Sequence, residues 1–270
     1  MMKYINKISY WPKEIVRTRY LIYELIKREF QSDYMGSYLG FIWVFIGPLM
    51  FIGIIVLVFS LGIRGGVSGD VPFIVYLVSG MVAWLFFADC LVSCTTIILK
   101  YSYLIKKVDV HLVYLPIIKI ISASFPHLFL VIMAIIIAQL NGYSISIYIL
   151  QLFYFLVSMF VLLFGISLLT SSIYLFINDV SKITALLATF GFWLTPVFWN
   201  INRIPENYQW IVKLNPVYYI VSGYRDSIIY EIPFWDRGYE MLYFWSITLS
   251  ILIIGIRIYS RLRPHFAEVV

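Results

Sequence analysis

Long apolar runs divided by short polar interruptions set the layout of this chain. The first covers about residues 38–63 without a charge and leads into the glycine-rich stretch Gly62-Ile63-Arg64-Gly65-Gly66-Val67-Ser68-Gly69-Asp70. A second covers 71–99 and holds one charge, Asp89, before a basic segment at 100–111. A third, 112–140, carries Lys119, Pro126 and His127, and Asn141-Gly142-Tyr143 after it reads as a turn. A fourth, 144–177, is charge-free, and as one helix it would reach about 50 Å, so it must tilt or project from a bilayer. Asn178-Asp179 and Lys182 precede a fifth run at 180–199, and a short sixth covers 239–256. A spanning helix needs roughly 20 mostly apolar residues. The pattern predicts an all-α membrane protein, a single domain over 1–270, with six transmembrane helices.

Two segments follow other rules. In residues 10–34, Ile15, Ile22 and Ile26 fall on one helical face with Phe30 nearby, and Arg17, Glu24 and Arg28 fall opposite. Pro12 suits a first turn, and Glu24 and Arg28 form an i,i+4 pair of the favourable order. This predicts an amphipathic helix lying on the inner leaflet, as a topology anchor or as a dock for a partner. Residues 200–238 are apolar but broken by Pro205, Pro216 and Pro233. Two short helices dipping back from the outer face would fit, and irregular backbone at that depth must lie inside protein or beside a water-filled cavity. The segment is expected to form a re-entrant helical hairpin serving as an outer gate; a flat cover on the outer leaflet is the other reading.

Composition agrees with a bilayer. Hydrophobic residues are 62% and charged residues 13%, with a mean hydropathy of +0.90. That leaves too little polar surface for a water-soluble domain. The net charge of +6 does not point to nucleic acid, because the basic residues are sorted by side. Only Arg64, Arg203, Lys213, Arg225 and Arg237 of the 20 Lys and Arg fall on one side. The rest gather near the termini, at 100–119 and at Lys182, so both ends, including the tail 257–270, are expected in the cytoplasm. The N-terminus lacks a short apolar core with a cleavage site, so no signal peptide is expected.

Little catalytic chemistry is visible. No G-x-x-x-x-G-K-[ST] loop occurs, so ATP is not expected to bind this chain. His111, His127 and His265 lie in separate regions, which predicts no metal site. Cys90 and Cys94 share a helix face and read as small packing residues. Asp89 is the anomaly: a carboxylate inside a span marks a candidate functional site, with His127 as a candidate partner at similar depth, or else it holds the bundle together. Lys119 lies near the inner end of its span and can snorkel. Aromatics are 19% of residues. Trp84, Phe86, Phe87, Tyr154 and Tyr174, with Asp89, are candidates to line a glycan channel, because aromatic faces stack on sugar C–H faces; core and lipid packing is the plainer use of such residues.

An ordered set of short patterns resembles one family. Leu39-Gly40-Phe41-Ile42-Trp43 with Gly47-Pro48-Leu49 is similar to its L-G-x-x-W-x-x-x-x-P pattern at the first span. Leu104-Ile105-Lys106-Lys107-Val108 with Leu115-Pro116, then Asn178-Asp179, Thr195-Pro196-Val197, Ile204-Pro205 and Leu214-Asn215-Pro216 with Arg225, follow the same order. The chain thus resembles the membrane permeases of type-two ABC exporters, in the branch that moves lipid-linked polysaccharides such as O-antigen, capsule or teichoic acid. It departs at Asp33-Tyr34, Val110-His111 and Asn178, where the family often has Arg-Tyr, Phe-Pro and Arg.

The resemblance implies a homodimer in the bacterial inner membrane with two separate ATPase subunits, which would hold the ATP and Mg. It implies ATPase coupling through Lys100, Tyr103, Leu104, Lys106, Lys107 and Asp109. Arg17, Arg19, Lys27 and Arg28 would receive the diphosphate of a polyprenyl-linked polysaccharide at headgroup depth, or act only as anchors. Pro196, Pro205, Asn215, Pro216, Tyr219 and Arg225 would belong to the outer gate. Two other readings stay open: a small drug or lipid exporter of the same superfamily, and a membrane glycan-modifying enzyme using Glu206, Asp226, Glu231, Asp236 or Glu240.

Overall fold

The computed structural model describes residues 11–32, 42–59, 71–102 and 112–269, except the side chains of 11–18 and 267. These residues are helical in every regular element. The order is α1 (Trp11–Ser32), α2 (Trp43–Leu57), α3 (Phe73–Thr95), α4 (Tyr114–Leu140), α5 (Gln151–Tyr174), α6 (Asp179–Leu194), α7 (Glu206–Lys213), α8 (Pro216–Arg225), α9 (Gly238–Leu262) and the terminal turn α10 (Phe266–Val269). A short turn, Ile97–Lys100, extends α3, and a π-helical turn, Asp226–Tyr230, extends α8.

Four stretches are long and apolar enough to cross a membrane: Phe73–Thr95, Tyr114–Leu140, Ile147–Tyr174 and Phe234–His265. Two further apolar helices are shorter, α2 at 15 residues and α6 at 16. At 1.5 Å per residue these reach about 22–24 Å, less than a bilayer core of roughly 30 Å. The fourth apolar run is helical over only part of its length. Its α-helix begins at Gln151, whose side chain is committed elsewhere: Nε2 donates to the Ile232 carbonyl at 2.8 Å and Oε1 accepts from Phe234 N at 3.0 Å. The last helix runs past the sixth apolar run, because Tyr259 and Phe266 are buried against the end of the bundle while Arg257 and Arg261 stay exposed.

Helix α3 is the axis of the bundle. It is apolar on all sides, the composition of a helix surrounded by others, and it packs against α2, α4, α5, α6 and α8. Leu77, Met81, Ala83, Cys90 and Cys94 on it are fully buried, and both cysteines are free thiols. Serines satisfy themselves along α5: Ser158, Ser167, Ser171 and Ser172 each donate to the carbonyl four residues back, at 2.5–2.8 Å. Without water in a bilayer core, such internal partners keep a polar hydroxyl affordable there.

Helices α5 and α9 pack along most of their length. Glycines let their backbones meet. A Cβ at Gly255 would lie 2.5 Å from the Gly165 carbonyl oxygen, and one at Gly165 would lie 3.0 Å from Leu252 Cα. This is the small-residue packing that joins helices in lipid. Gly255→Ala should therefore lower stability by about 1–3 kcal/mol, the usual cost of overpacking. Gly47→Ala, with nothing within 4 Å of the added carbon, should not. Melting curves in detergent check both; equal melting of Gly255→Ala and wild type would contradict the contact.

Candidate functional site: the two ends of the bundle

At the N-terminal end of α3, α8 and the loops around it are fastened by polar side chains. Asn215 caps α8: its Oδ1 accepts from Val217 N at 3.0 Å, with Pro216 as the first helical residue. Its Nδ2 donates to Thr195 Oγ1 at 2.7 Å and so pins α8 to the loop after α6. Arg225, at the other end of α8, is 4% exposed. Nη2 donates to the Val197 carbonyl at 2.6 Å and Nε to the Tyr76 carbonyl at 3.3 Å. The guanidinium stacks 3.8 Å over the Tyr76 ring, and the Tyr76 hydroxyl donates to the Trp199 carbonyl at 3.0 Å. A Cβ at Gly80 would collide with this guanidinium, so the glycine makes its room.

Asp226 follows and is 1% exposed. Arg237 grips it in a fork, Nη2 to Oδ1 at 2.9 Å and Nε to Oδ2. Glu240 takes Arg237 Nη1 at 3.2 Å and Lys213 Nζ at 2.9 Å, which ties α7 to α9. The hydrogen bond to Glu240 holds the Lys213 ammonium above its ordinary pKa. Lys213, Arg225, Asp226 and Arg237 themselves line a cavity of about 350 Å³, together with Tyr76, Asn202, Gln209, Tyr218 and Ser222 among others. Nearby, the Tyr154 hydroxyl meets Tyr219 at 3.2 Å and accepts from Trp245 Nε1 at 2.9 Å, while its ring stacks on Phe234.

At the other end of α3, a buried carboxylate ties α1 to the bundle. Glu29 is fully buried. Its Oε1 lies 2.8 Å from Lys100 Nζ and 3.4 Å from Lys119 Nζ, and its Oε2 accepts from the Tyr101 hydroxyl at 2.5 Å. Lys119 is 5% exposed, so it does not snorkel; it turns inward to this acid. A second cavity of about 250 Å³ lies beside the cluster, lined by Phe30 of α1, Trp43 and Pro48 of α2, Asp89 of α3, and Lys119, Pro126 and His127 of α4. Two helix-breaking prolines thus face one space. Asp89 is exposed at its edge. Asp89 and His127 line the same cavity without bonding to each other. His127 Nε2 pairs with the Tyr224 hydroxyl at 2.8 Å, its ring stacks on Phe86, and its Nδ1 has no hydrogen-bond partner among the described residues.

Comparison with known proteins covers residues at both ends. Residues 20–229 match the ABC-2 type transporter family, a span that includes the Glu29 cluster and the Asn215–Arg225 fastening. The chain belongs to that family. Two proteins of Klebsiella pneumoniae named O-antigen export system permease protein RfbA are 23% and 24% identical to it, each over 92% of this chain and 94% of the relative. One of the same name from Myxococcus xanthus is 21% identical over 95% of this chain and 97% of that protein. The chain is thus an integral membrane protein of a transporter family, similar in extent to O-antigen export permeases.

The structure gathers some sequence candidates and separates others. Pro196 and Arg225 line the 350 Å³ cavity, and Asn215, Pro216 and Tyr219 belong to α8 beside it. Pro205 is exposed at the start of α7. Trp84, Phe86 and Phe87 are buried within the chain itself, where Trp84 packs near Phe87 and Phe192, and Phe86 also lines the second cavity. Tyr154 and Tyr174 are half-buried. Arg19, Lys27 and Arg28 are exposed on α1. The side chain of Arg17 and all of Tyr103, Leu104, Lys106, Lys107 and Asp109 lie outside the described residues; Lys100 is inside them, on Glu29. Glu29 itself was missed by the sequence reading, although its spacing of four from Leu25 and seven from Ile22 puts it on the apolar stripe of α1.

Proposed function

We propose that this chain is the membrane-spanning subunit of an ABC exporter that carries lipid-linked cell-surface polysaccharide, of the O-antigen kind, across the bacterial inner membrane. The observation that carries this is the near full-length likeness to O-antigen export permeases within the ABC-2 type transporter family. In this reading α2 and α6 complete six spans, both termini are cytoplasmic, and the basic flanks of the chain support that orientation. Two copies pair around a channel, and two separate ATPase subunits bind and hydrolyse ATP with Mg. Lys100, Tyr103, Leu104, Lys106, Lys107 and Asp109 receive the ATPase stroke, and Glu29 passes it to α1 through Lys100 and Tyr101. Arg17, Arg19, Lys27 and Arg28 attract the diphosphate of the polyprenyl carrier. The glycan passes Asp89 and the Tyr154 and Tyr174 surfaces, and residues 200–238 form a re-entrant hairpin that gates the outer end.

Removal of the chain from its cell tests the reading. Undecorated cells should result, with lipid-linked polymer accumulating on the cytoplasmic face. Unchanged surface glycan and unchanged precursors would retire the polysaccharide reading in favour of small-molecule export.

A further inference from the structure

We propose that the cavity under the hairpin is a saccharide site that holds one glycosyl unit of the polymer, with a preference for acidic sugars; the assignment rests on the export reading above. The cavity measures about 350 Å³, within the range of small-molecule sites. Its lining is unlike that of a lipid or drug pocket, which is mostly apolar. Asn202 brings a planar amide, Asn200 keeps its Nδ2 donor while its Oδ1 accepts from Asn202 N, and Gln209 keeps its Oε1 acceptor while its Nε2 donates to the Ile204 carbonyl; Tyr218 and Tyr230 present rings with hydroxyls, and Ser222 adds a hydroxyl from α8. Amides that both donate and accept, set beside aromatic faces, match a ring of hydroxyls with apolar C–H faces.

Arg225 supplies the preference. Its hydrogen bonds use Nε and Nη2, and Nη1 makes none among the described residues although the side chain lines the cavity. The other cations at the cavity are matched by carboxylates: Arg237 by Asp226 and Glu240, and Lys213 by Glu240. Arg225 has no carboxylate within salt-bridge distance among the described residues and is 4% exposed, so it carries one positive charge in excess with a donor left over. A hydroxyl or ring oxygen would satisfy that donor, and a uronate carboxylate would also balance the charge.

The test uses the full chain in lipid nanodiscs, without any ATPase, and saturation-transfer NMR with methyl β-D-glucuronide and methyl β-D-glucoside. Both should bind, the glucuronide several-fold more tightly. Ser222→Leu, which fills the cavity, should weaken binding about tenfold or more; Asn202→Ala at the exposed rim should weaken it several-fold with an unchanged melting temperature, and decides the matter if Ser222→Leu does not fold. Absence of binding to both sugars, or binding unchanged in Asn202→Ala and in any folded Ser222→Leu, overturns the site. Displacement of the glucuronide by inorganic phosphate, with no binding of the glucoside, also overturns it, as an anion site only. None of these outcomes touches the export reading, which stands or falls on the polymer that accumulates in the cell.

Discussion

Glu29→Ala should loosen α1 from the bundle and cost about 3–5 kcal/mol, the usual loss when one partner of a buried ion pair is removed. Glu29 is fully buried and Lys119 is 5% exposed, so this pair lies where charge is poorly screened. The alanine variant removes a carboxylate 3.4 Å from Lys119 Nζ and an acceptor of the Tyr101 hydroxyl together. Lys100 contributes less, because its side chain is 40% exposed and can turn to water. Glu29→Gln retains an acceptor oxygen and should lose less. The double variant Glu29→Ala, Lys119→Met should recover part of the loss, because the buried cation goes with its partner. Melting in detergent reads all three, and export in cells reads coupling. An alanine variant that melts and exports like wild type would show that α1 is held by its apolar face alone.

The second large effect is expected at the turn after α8. Arg237→Ala strips both hydrogen bonds from an Asp226 carboxylate that is 1% exposed, and should cost about 3–5 kcal/mol. It also cuts the chain from Lys213 through Glu240 to Asp226 that joins α7 and α9 to the turn after α8. Arg237→Lys keeps the charge but loses the fork, so it should fall between wild type and alanine. Asp226→Ala in the Arg237→Ala background should restore much of the stability, since no buried acid remains. Thermal melting of wild type, Arg237→Ala, Asp226→Ala and the double alanine variant forms a closed cycle. Additive losses would mean that the two residues do not act as a pair.

How much of this was legible in the chain depends on the range of the contact. The long helices follow from local hydropathy, and the third apolar run ends where the sequence displays a break, at the Asn141-Gly142 turn. Gly142 takes a φ of 92°, which explains why a glycine stands at that turn. Asn215-Pro216 was visible as a break, and it is one because it starts α8. The fourth run was harder, since nothing in an all-apolar stretch shows that Gln151 is needed by Ile232 and Phe234. The aromatic candidates divided for a similar reason. Core and channel both favour Trp and Phe, so the pattern at Trp84, Phe86 and Phe87 does not separate the two uses; within one chain Trp84 packs near Phe192 and Phe86 stacks on His127. Glu29 was overlooked because its partners lie 71, 72 and 90 residues away. An acid on an apolar stripe was the only local sign of them.

The burial of Cys90 and Cys94 in the centre of α3 has a practical consequence for labelling. Both side chains are fully shielded, and the chain contains no other cysteine. A water-borne maleimide therefore meets no native thiol on the folded protein. Cysteines introduced singly at Asn202, Tyr208 or Arg28 can be labelled in the wild-type background, without first rebuilding the most tightly packed helix. The side of the membrane on which each one reacts in intact cells then reads the topology directly.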